Sequence, residues 1–305
     1  MALLFQGSPA YPGHEHRPVA TIGNFDGLHR GHQALVGRLL ERAVELDAPS
    51  LVYTFDPPPR LVLQPGKAPP RIATLEQKVE GLFGLGVDHV VVETFTADFG
   101  ARPPDWFARV IIGRLEPRAM VVGYDFRYGQ GRAGNAQTLA AQRPELPIET
   151  VEALQFGDLV VGSSRIREAV AEGRIEAANK MLGRPYRLVG TVVQGDARGR
   201  TIGFPTANLD AANELIPAPG VYAVRSVFDG KEHAGVANLG VRPTFDGARF
   251  VIEVHLFDFE GDLYGRSLPV DFVARIRGER RFESADELVA QIRLDAVEAR
   301  RVLEC

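Results

Sequence analysis

Short apolar runs of strand length alternate with longer segments of helical spacing through about residue 160. Successive strands separated by a helix-length segment cannot pair as tight hairpins, so the alternation is typical of a parallel sheet with crossover helices. The predicted strands lie within PVATIGNF, SLVYTF, HVVVETF, AMVVGYDF and PIETVEAL. Apolar residues mark one face of the first helix: Leu35, Leu39, Ala43 and Leu46. This part of the chain is predicted to be an α/β domain.

The pattern changes after residue 183. From Arg187 to Arg277, short strands with alternating polarity follow one another at intervals marked by turn residues, which predicts a small closed antiparallel β-barrel. The barrel strands include YRLVGTVVQ, GVYAVRSVF, HAGVANLG, RFVIEVHLF and LPVDFVARI.

A terminal helix is expected after the barrel. Ser284 and Glu287 have the spacing of a capping box, and the helix should extend to about Leu303. Its apolar spacing predicts that Leu288 and Ile292 face inward.

Two domains are therefore predicted, residues 18–183 and residues 184–305. A helix that begins at Ser163 or Ser164 and ends near Met181 should close the first domain. The first 17 residues are rich in Pro, Gly and His and have no period, so we expect them to lie outside the fold.

Composition excludes several classes of protein. The formal net charge of -4 argues against general nucleic-acid binding, which usually needs a basic face. The single cysteine, Cys305, permits neither an internal disulfide nor a cysteine-based metal cage, which fits a reducing cytoplasm. The first residues have no basic segment and too short an apolar run for a secretory signal or a membrane span.

The segment GNFDGLHRGH sets two histidines three residues apart where the first helix should begin. His29 and His32 would then project on one side of the helix, near exposed N–H groups and the positive end of the helix dipole. Gly23 and Gly27 permit a tight turn, and Gly31 leaves space beside the rings. This arrangement predicts an anion site suited to displacement at phosphorus.

Other interpretations of the histidines stay open at this point. They could simply cap the helix or pack in the core. A zinc pair would need Asp26 to complete it, because no third His or Cys lies at ligand spacing. A Walker-type phosphate loop is absent from the sequence, since Gly66-Lys67 is followed by Ala68 in a loop context.

Three polar segments follow predicted strands: NFDGLHRGH, TFDPPPR and GYDFRYGQGRAGN. Ligands of open α/β sheets bind beyond the carboxyl ends of the strands, so these segments should line one crevice.

GNFDGLHRGH resembles the GxFDGxHxGH signature of the nucleotidyltransferase superfamily. Five further segments occur in the order typical of bacterial bifunctional riboflavin kinase/FAD synthetases: GYDFRYGQGRAGN, SSRIREA, TIGFPTANL, GVANLGVRPTF and DLYG. The resemblance covers about residue 18 to residue 300. It implies a Rossmann-like nucleotidyltransferase domain with a parallel sheet, followed by a riboflavin kinase barrel. It also implies that ATP and Mg²⁺ are used to make FMN from riboflavin and then FAD from FMN.

The resemblance assigns roles in the first domain. His29 and His32 would contact the α-phosphate of ATP and stabilise the transition state, while Ser163, Ser164 and Arg167 would hold the β- and γ-phosphates. Further ATP contacts fall on Gly23, Phe25 and Gly31. The positions expected to contact nucleotide or flavin are Asn24, Asp125 and Asn135.

Two positions depart from the family pattern. Gly162 stands where relatives have the first serine of a Ser-Ser-Ser/Thr-x-Ile-Arg signature, and Pro58 stands where they commonly have a histidine. The lost hydroxyl is worth about 1 kcal/mol of phosphate binding if no backbone N–H replaces it. These departures leave open a kinase whose adenylyltransferase is weak.

In the second domain, Thr206 and Asn208 lie one residue apart on the same side of an extended segment. The resemblance assigns them to Mg²⁺, and it places Gly203 at the ATP site.

Glu253 lies mid-strand in RFVIEVHLF, on the face opposite Phe250, Ile252, Val254 and Leu256. A solvated strand face would explain it equally well from alternation alone. The family uses the matching glutamate as general base toward the ribityl 5′-hydroxyl. Tyr264 and Arg266 are expected to border the flavin.

Two other functions compete with this interpretation. A tRNA-charging enzyme or other nucleic-acid binder is disfavoured because only four lysines occur in the chain, at positions 67, 78, 180 and 231. A non-catalytic flavin sensor would bind flavin without consuming ATP. The expected partners are thus riboflavin, FMN and ATP, without nucleic acid or membrane, and the oligomeric state stays open.

Overall fold

The computed structural model describes residues 2–156, 159–195, 204–244 and 247–305. The chain divides into two compact units, and each has its own core. The first unit comprises Met1–Pro69 and Leu75–Gly162, and the second comprises Pro70–Thr74 and Ser163–Cys305.

A six-stranded parallel sheet forms the centre of the first unit, as predicted. Its order is β1-β4-β3-β2-β5-β6, and every neighbouring pair is parallel. Strand β2 is buried at all four positions, because helices cover both faces of such a sheet. The strands are β1 (Leu3–Gln6), β2 (Val19–Ile22), β3 (Ser50–Asp56), β4 (His89–Thr94), β5 (Ala119–Gly123) and β6 (Ile148–Val151).

The helices of this unit differ widely in length. They are α1 (Gly13–His16), α2 (Arg30–Glu45), α3 (Pro59–Leu63), α4 (Leu75–Gly84), α5 (Ala97–Gly100), α6 (Pro104–Trp106), α7 (Ile112–Leu115) and α8 (Ala136–Gln142), with a π-helical turn at Phe107–Ile111. Helix α2 buries Leu35, Leu39 and Ala43 as its spacing predicts, and Leu46 follows the helix as its C-cap. Two short antiparallel strands, β7 (Gln155–Phe156) and β8 (Leu159–Val160), lie near the end of the unit.

The expectation that the first 17 residues lie outside the fold is wrong. Strand β1 pairs with β4 at the sheet edge, starting with Leu3 opposite His89. Tyr11 is buried, packs edge-on against Phe5 at 5.0 Å between ring centroids, and its hydroxyl lies 3.1 Å from Nδ1 of His89. A four-residue edge strand is too short to show a clear period in the sequence.

Two helices begin the second unit where the sequence predicts one. Helix α9 (Ser163–Ala171) and helix α10 (Ile175–Leu182) are separated at Gly173, whose φ of 74° ends the first helix. Their buried apolar residues share a core with the barrel: Ile166, Ala169, Val170, Ile175, Ala178 and Leu182 pack with Leu188, Tyr222, Val224, Leu268 and Phe272.

The predicted antiparallel barrel is present and closed, in the order β10-β13-β12-β11-β14-β9. Its strands are β9 (Tyr186–Val193), β10 (Ala207–Ala211), β11 (Gly220–Phe228), β12 (Lys231–Thr244), β13 (Gly247–Leu256) and β14 (Ser267–Arg277). Strand β10 begins within the PTANL segment. Proline and asparagine are uncommon in strands, so this segment does not show a strand pattern in the sequence.

The terminal helix α11 (Ala285–Leu303) begins at an N-cap where Ser284 accepts from the N–H of Glu287. Its rotation differs from the prediction, because Leu288 is 36% exposed. Arg277 donates to the buried carboxylate of Asp295 at 2.7 Å, and Leu303 lies on the same buried face. The face that meets the barrel therefore carries Asp295, Ala299 and Leu303.

Candidate active sites

The loop after β2 holds an uncommon backbone. Phe25 and Leu28 have φ values of 49° and 44°, between which Gly27 has a φ of 80°. Non-glycine residues rarely adopt this region, and here the cost is offset because both side chains are buried in the core beneath α2. A Cβ at Gly23 would lie 3.0 Å from the Phe25 ring, so a larger residue there would press on that ring.

His29 is the N-cap of α2. Its Nδ1 accepts a hydrogen bond from the backbone N–H of His32 at 3.3 Å. The capping interpretation is therefore correct for His29, and it has a chemical consequence. Since Nδ1 accepts, a neutral His29 ring carries its proton on Nε2 and can donate from that side.

The two imidazole rings stack, with centroids 3.6 Å apart and planes 16° from parallel. Burial lowers the pKa of His32 well below its ordinary value, and the charges of His29 and Lys78 lower it further. Nδ1 of His32 is buried and has no hydrogen-bond partner within the described residues. A Cβ at Gly31 would lie 3.2 Å from the His29 ring, so this glycine leaves room beside the pair. The lowered pKa favours the neutral form of His32.

A zinc site finds no support. Within the described ranges, no group of three or more His, Cys, Asp and Glu side chains is arranged to hold a metal ion.

Lys78 acts electrostatically on this pair, and the sequence analysis did not single it out as a site residue. It is only 7% exposed, and its ammonium donates to Oγ1 of Thr54 at 3.2 Å and to the carbonyl of Phe55 at 3.1 Å. The hydroxyl of Thr54 in turn donates to the carbonyl of Asn24 at 3.3 Å. A signal existed in the sequence, because Lys78 shares the buried face of α4 with Leu82 at the i, i+4 spacing.

The other predicted binding residues of the first unit lie in different local environments. Asn24 and Asp125 are exposed. Asn135 is the N-cap of α8, where its Oδ1 accepts from the N–H of Thr138 at 2.9 Å. Pro58 is the residue before α3.

Ser163, Ser164 and Arg167 belong to the second compact unit, in the first turn and a half of α9. Nε of Arg167 donates to the carbonyl of Pro70 at 2.7 Å. A Cβ at Gly162 would meet nothing within 4 Å, so the position that departs from the family pattern has open space around it.

A row of polar residues crosses three neighbouring barrel strands. Glu253 on β13 pairs with Asn208 on β10 and with Asn238 on β12. Residues paired across strands share a face, so the carboxylate stands between two amides. Thr206 adds a hydroxyl 3.5 Å from Oε1 of Glu253.

The alternation predicted for β13 is confirmed by burial. Ile252, Val254 and Leu256 are buried in the barrel, and Glu253 lies on the other face. Phe250, expected with the apolar set, is 39% exposed near the strand start.

Two further residues position the PTAN segment and were not found from sequence. Nδ1 of His255 lies 2.7 Å from the carbonyl of Pro205, which only accepts, so Nδ1 is the donor. A Cβ at Gly195 would lie 2.0 Å from Nδ2 of Asn208, so the backbone passes directly over this amide. Gly203 lies outside the described residues.

Tyr264 and Arg266 lie in the turn directly before β14, and each has a partner of its own. Arg266 donates to both carboxylate oxygens of Asp229 at 2.5 and 2.6 Å and lies 5.7 Å from the centre of the Phe228 ring. Tyr264 is 48% exposed, and its N–H donates to Asp262.

None of the helices in the described part of the chain is both long and apolar enough to span a bilayer.

A histidine pair at a helix start on a parallel sheet, and a carboxylate set between amides on a barrel, are the two sites that the sequence motifs predict for a two-part enzyme that transfers phosphorus-containing groups. Comparison with known proteins agrees. The family model for FAD synthetase matches residues 12–165, and the model for riboflavin kinase matches residues 182–303.

Individual relatives match over nearly the whole chain. The bifunctional riboflavin kinase/FMN adenylyltransferase of Pseudomonas fluorescens is 41% identical over 94% of this chain and 93% of its own length. Its namesake from Bacillus subtilis is 39% identical over 93% of this chain and 92% of its own length. A crystal structure described as a macrolide-efflux protein from Streptococcus pneumoniae has a TM-score of 0.88 at 31% identity, covering 96% of this chain and 97% of that one. The chain belongs to the family of bifunctional riboflavin kinases/FMN adenylyltransferases.

Proposed function

We propose that the chain makes FMN by phosphorylating riboflavin with ATP, and then makes FAD by transferring AMP from a second ATP to FMN. The kinase is assigned to residues 184–305 and the adenylyltransferase to residues 18–183. The boundary between the two compact units lies earlier in the chain than this proposed boundary, after Gly162. The observation that carries the adenylyltransferase assignment is the stacked, buried histidine pair at the start of α2.

The adenylyl transfer needs no general base. The phosphate of FMN is already ionised, and its oxygen attacks the α-phosphorus of ATP while the bond to the β-phosphate oxygen breaks. Catalysis then depends on alignment and on donors that meet the developing charge. In its neutral form His29 has an Nε2 proton to donate, and burial, which lowers the pKa of His32, favours the neutral form of that ring.

The remaining residues of this half are proposed to bind. Ser163, Ser164 and Arg167 would hold the β- and γ-phosphates, since hydroxyls, a helix start and a guanidinium all favour phosphate oxygens. Gly23, Phe25 and Gly31 shape the phosphate site. Contacts to adenosine or flavin are assigned to Asn24, Asp125 and Asn135.

In the kinase half, Glu253 is proposed to orient and deprotonate the ribityl 5′-hydroxyl. The hydroxyl oxygen attacks the γ-phosphorus of ATP while the bond from that phosphorus to the β-phosphate oxygen breaks, so that ADP leaves. Thr206 and Asn208 fit Mg²⁺, because both offer oxygen ligands next to that carboxylate. Bound Mg²⁺ would neutralise charge on the transferred phosphoryl group. Gly203 is assigned to ATP, and Tyr264 and Arg266 to the border of the flavin ring.

A cytoplasmic location and small-molecule partners complete the proposal. One cysteine and a net charge of -4 are consistent with both.

The test is a time course with riboflavin and MgATP, with riboflavin, FMN and FAD separated by chromatography. FMN that rises and is then converted to FAD supports both assignments. FMN that accumulates without FAD favours the alternative of a kinase with a weak adenylyltransferase, and Gly162 and Pro58 are then the first positions to restore. Tight flavin binding without ATP consumption would overturn the proposal in favour of a flavin sensor.

A further inference from the structure

We propose that Lys78 is a positioning residue of the adenylyltransferase site, which holds the loop before the histidine pair through Thr54 and supplies a buried positive charge that acts on His32. This inference rests on the roles proposed for His29 and His32.

The burial of Lys78 requires an explanation. A lysine ammonium is rarely buried, because removing the charge from water is costly unless hydrogen bonds replace the lost hydration. At 7% exposure, Lys78 directs its ammonium to the end of β3, where Thr54 and Phe55 supply neutral oxygens. A leucine or methionine at this position would pack on α4 without that cost, so packing alone does not account for a lysine.

The hydrogen bonds form a chain of donors and acceptors from Lys78 through Thr54 to Asn24. Lys78 can only donate, and Thr54 accepts with its oxygen while its own hydroxyl proton goes to the carbonyl of Asn24. Asn24 is in the tight loop that leads into α2, directly before Phe25 and its left-handed backbone. The lysine therefore fixes the position of the loop from which the histidines project.

The charge of Lys78 acts on the same site. The groups whose charge acts on His32 are His29, from the start of its own helix, and Lys78, from α4; both disfavour a second positive charge on that ring. The lysine ammonium stays charged throughout the reaction, so it attracts phosphate anions in every turnover. A neutral imidazole would first have to be protonated to do the same. Lys78 therefore has two effects on the site: it holds the loop in position through Thr54, and its charge acts on His32.

The test compares four variants of the full chain, Lys78→Met, Lys78→Arg, Thr54→Val and Lys180→Met. Lys180 is an exposed lysine on α10 and serves as the matched control. Formation of FAD from supplied FMN and formation of FMN from riboflavin are measured on each variant, together with Tm. The histidine ring signals are titrated by NMR, with His32→Gln used to assign His32.

We expect Lys78→Met to lower kcat/KM for FAD formation by about 100-fold, the size typical of losing one preorganised electrostatic group. FMN formation should stay within about two-fold of the parent, and Lys78→Arg should recover part of the loss, since it keeps the charge. The titration of His32 should move to higher pH in Lys78→Met only. Thr54→Val should lower FAD formation by about ten-fold and leave the His32 titration unchanged, because it breaks the relay and keeps the charge.

Other outcomes overturn the inference. They are full FAD formation in Lys78→Met, an unmoved His32 titration, or equal losses of FMN formation, FAD formation and Tm, which would make Lys78 only a structural residue. If Lys78→Met does not fold, Thr54→Val decides alone, and full FAD formation in that variant rejects the relay. A parent chain that makes no FAD while His32 still titrates at higher pH in Lys78→Met would reject the proposed function and retain the contact.

Discussion

Nδ1 of His29 accepts the backbone N–H of His32, so one side chain both caps helix α2 and presents its other ring nitrogen as a donor. Helix capping and catalysis usually compete as explanations for a histidine at a helix start. Here they depend on each other, because the cap determines which nitrogen carries the proton. The stacked ring of His32 then has a neighbour whose neutral form is held in one tautomer.

This dual role can be separated by substitution. His29→Asn keeps an N-cap acceptor and loses the ring, so we expect Tm to stay near that of the parent while FAD formation falls by about 100-fold. His29→Ala loses the cap as well, and should in addition lower the free energy of unfolding by about 1 kcal/mol. Thermal melts and FAD assays on both variants measure the two effects, and equal Tm values would show that the cap is not stabilising.

Glu253→Gln should abolish FMN formation and leave the conversion of supplied FMN to FAD unchanged. Glutamine preserves the size of the side chain between Asn208 and Asn238 and removes the proton acceptor, so riboflavin should still bind while kcat falls. The exposed Glu260→Gln is the control. Loss of both activities in Glu253→Gln would contradict the assignment of the two reactions to different halves.

The order of elements was predictable because buried strands and amphipathic helices have different periods, and a change of period marks the change from sheet to barrel. Strand β1 and strand β10 were missed because four or five residues carry too little pattern, and Pro205 lies only two residues before β10. The split of one predicted helix at Gly173 depends on a single left-handed residue, which spacing does not reveal.

The site was only partly predictable for a related reason. Motifs located His29, His32, Thr206, Asn208 and Glu253 because these are local in sequence. Lys78 and Gly195 act on residues far away in sequence, through a buried ammonium and a close backbone approach. Contacts of this kind follow from tertiary packing, so they become visible only once the chain is folded.

Gly195→Ala should impair the kinase selectively. Its Cβ would lie 2.0 Å from Nδ2 of Asn208, so the amide must move away from Glu253 and from the proposed Mg²⁺ position. We expect FMN formation to fall by about ten-fold and the Mg²⁺ concentration for half-maximal rate to rise. Gly278→Ala is the control, because its Cβ would meet only an arginine nitrogen at 3.7 Å. Equal rates in the two variants would show that the loop adapts around the methyl group.

Gly162→Ser should strengthen ATP binding in the adenylyltransferase. The space around a Cβ at this position is open, with no neighbouring atom within 4 Å, so a serine fits without strain. One added hydrogen bond to a phosphate is worth about 1 kcal/mol, which corresponds to a roughly five-fold lower KM for ATP in FAD formation. Gly162→Ala is the matched control, since it adds the same Cβ without a hydroxyl. If both variants lower KM equally, reduced backbone freedom explains the gain, whereas an unchanged KM in both would show that a backbone N–H already does the work of the missing hydroxyl.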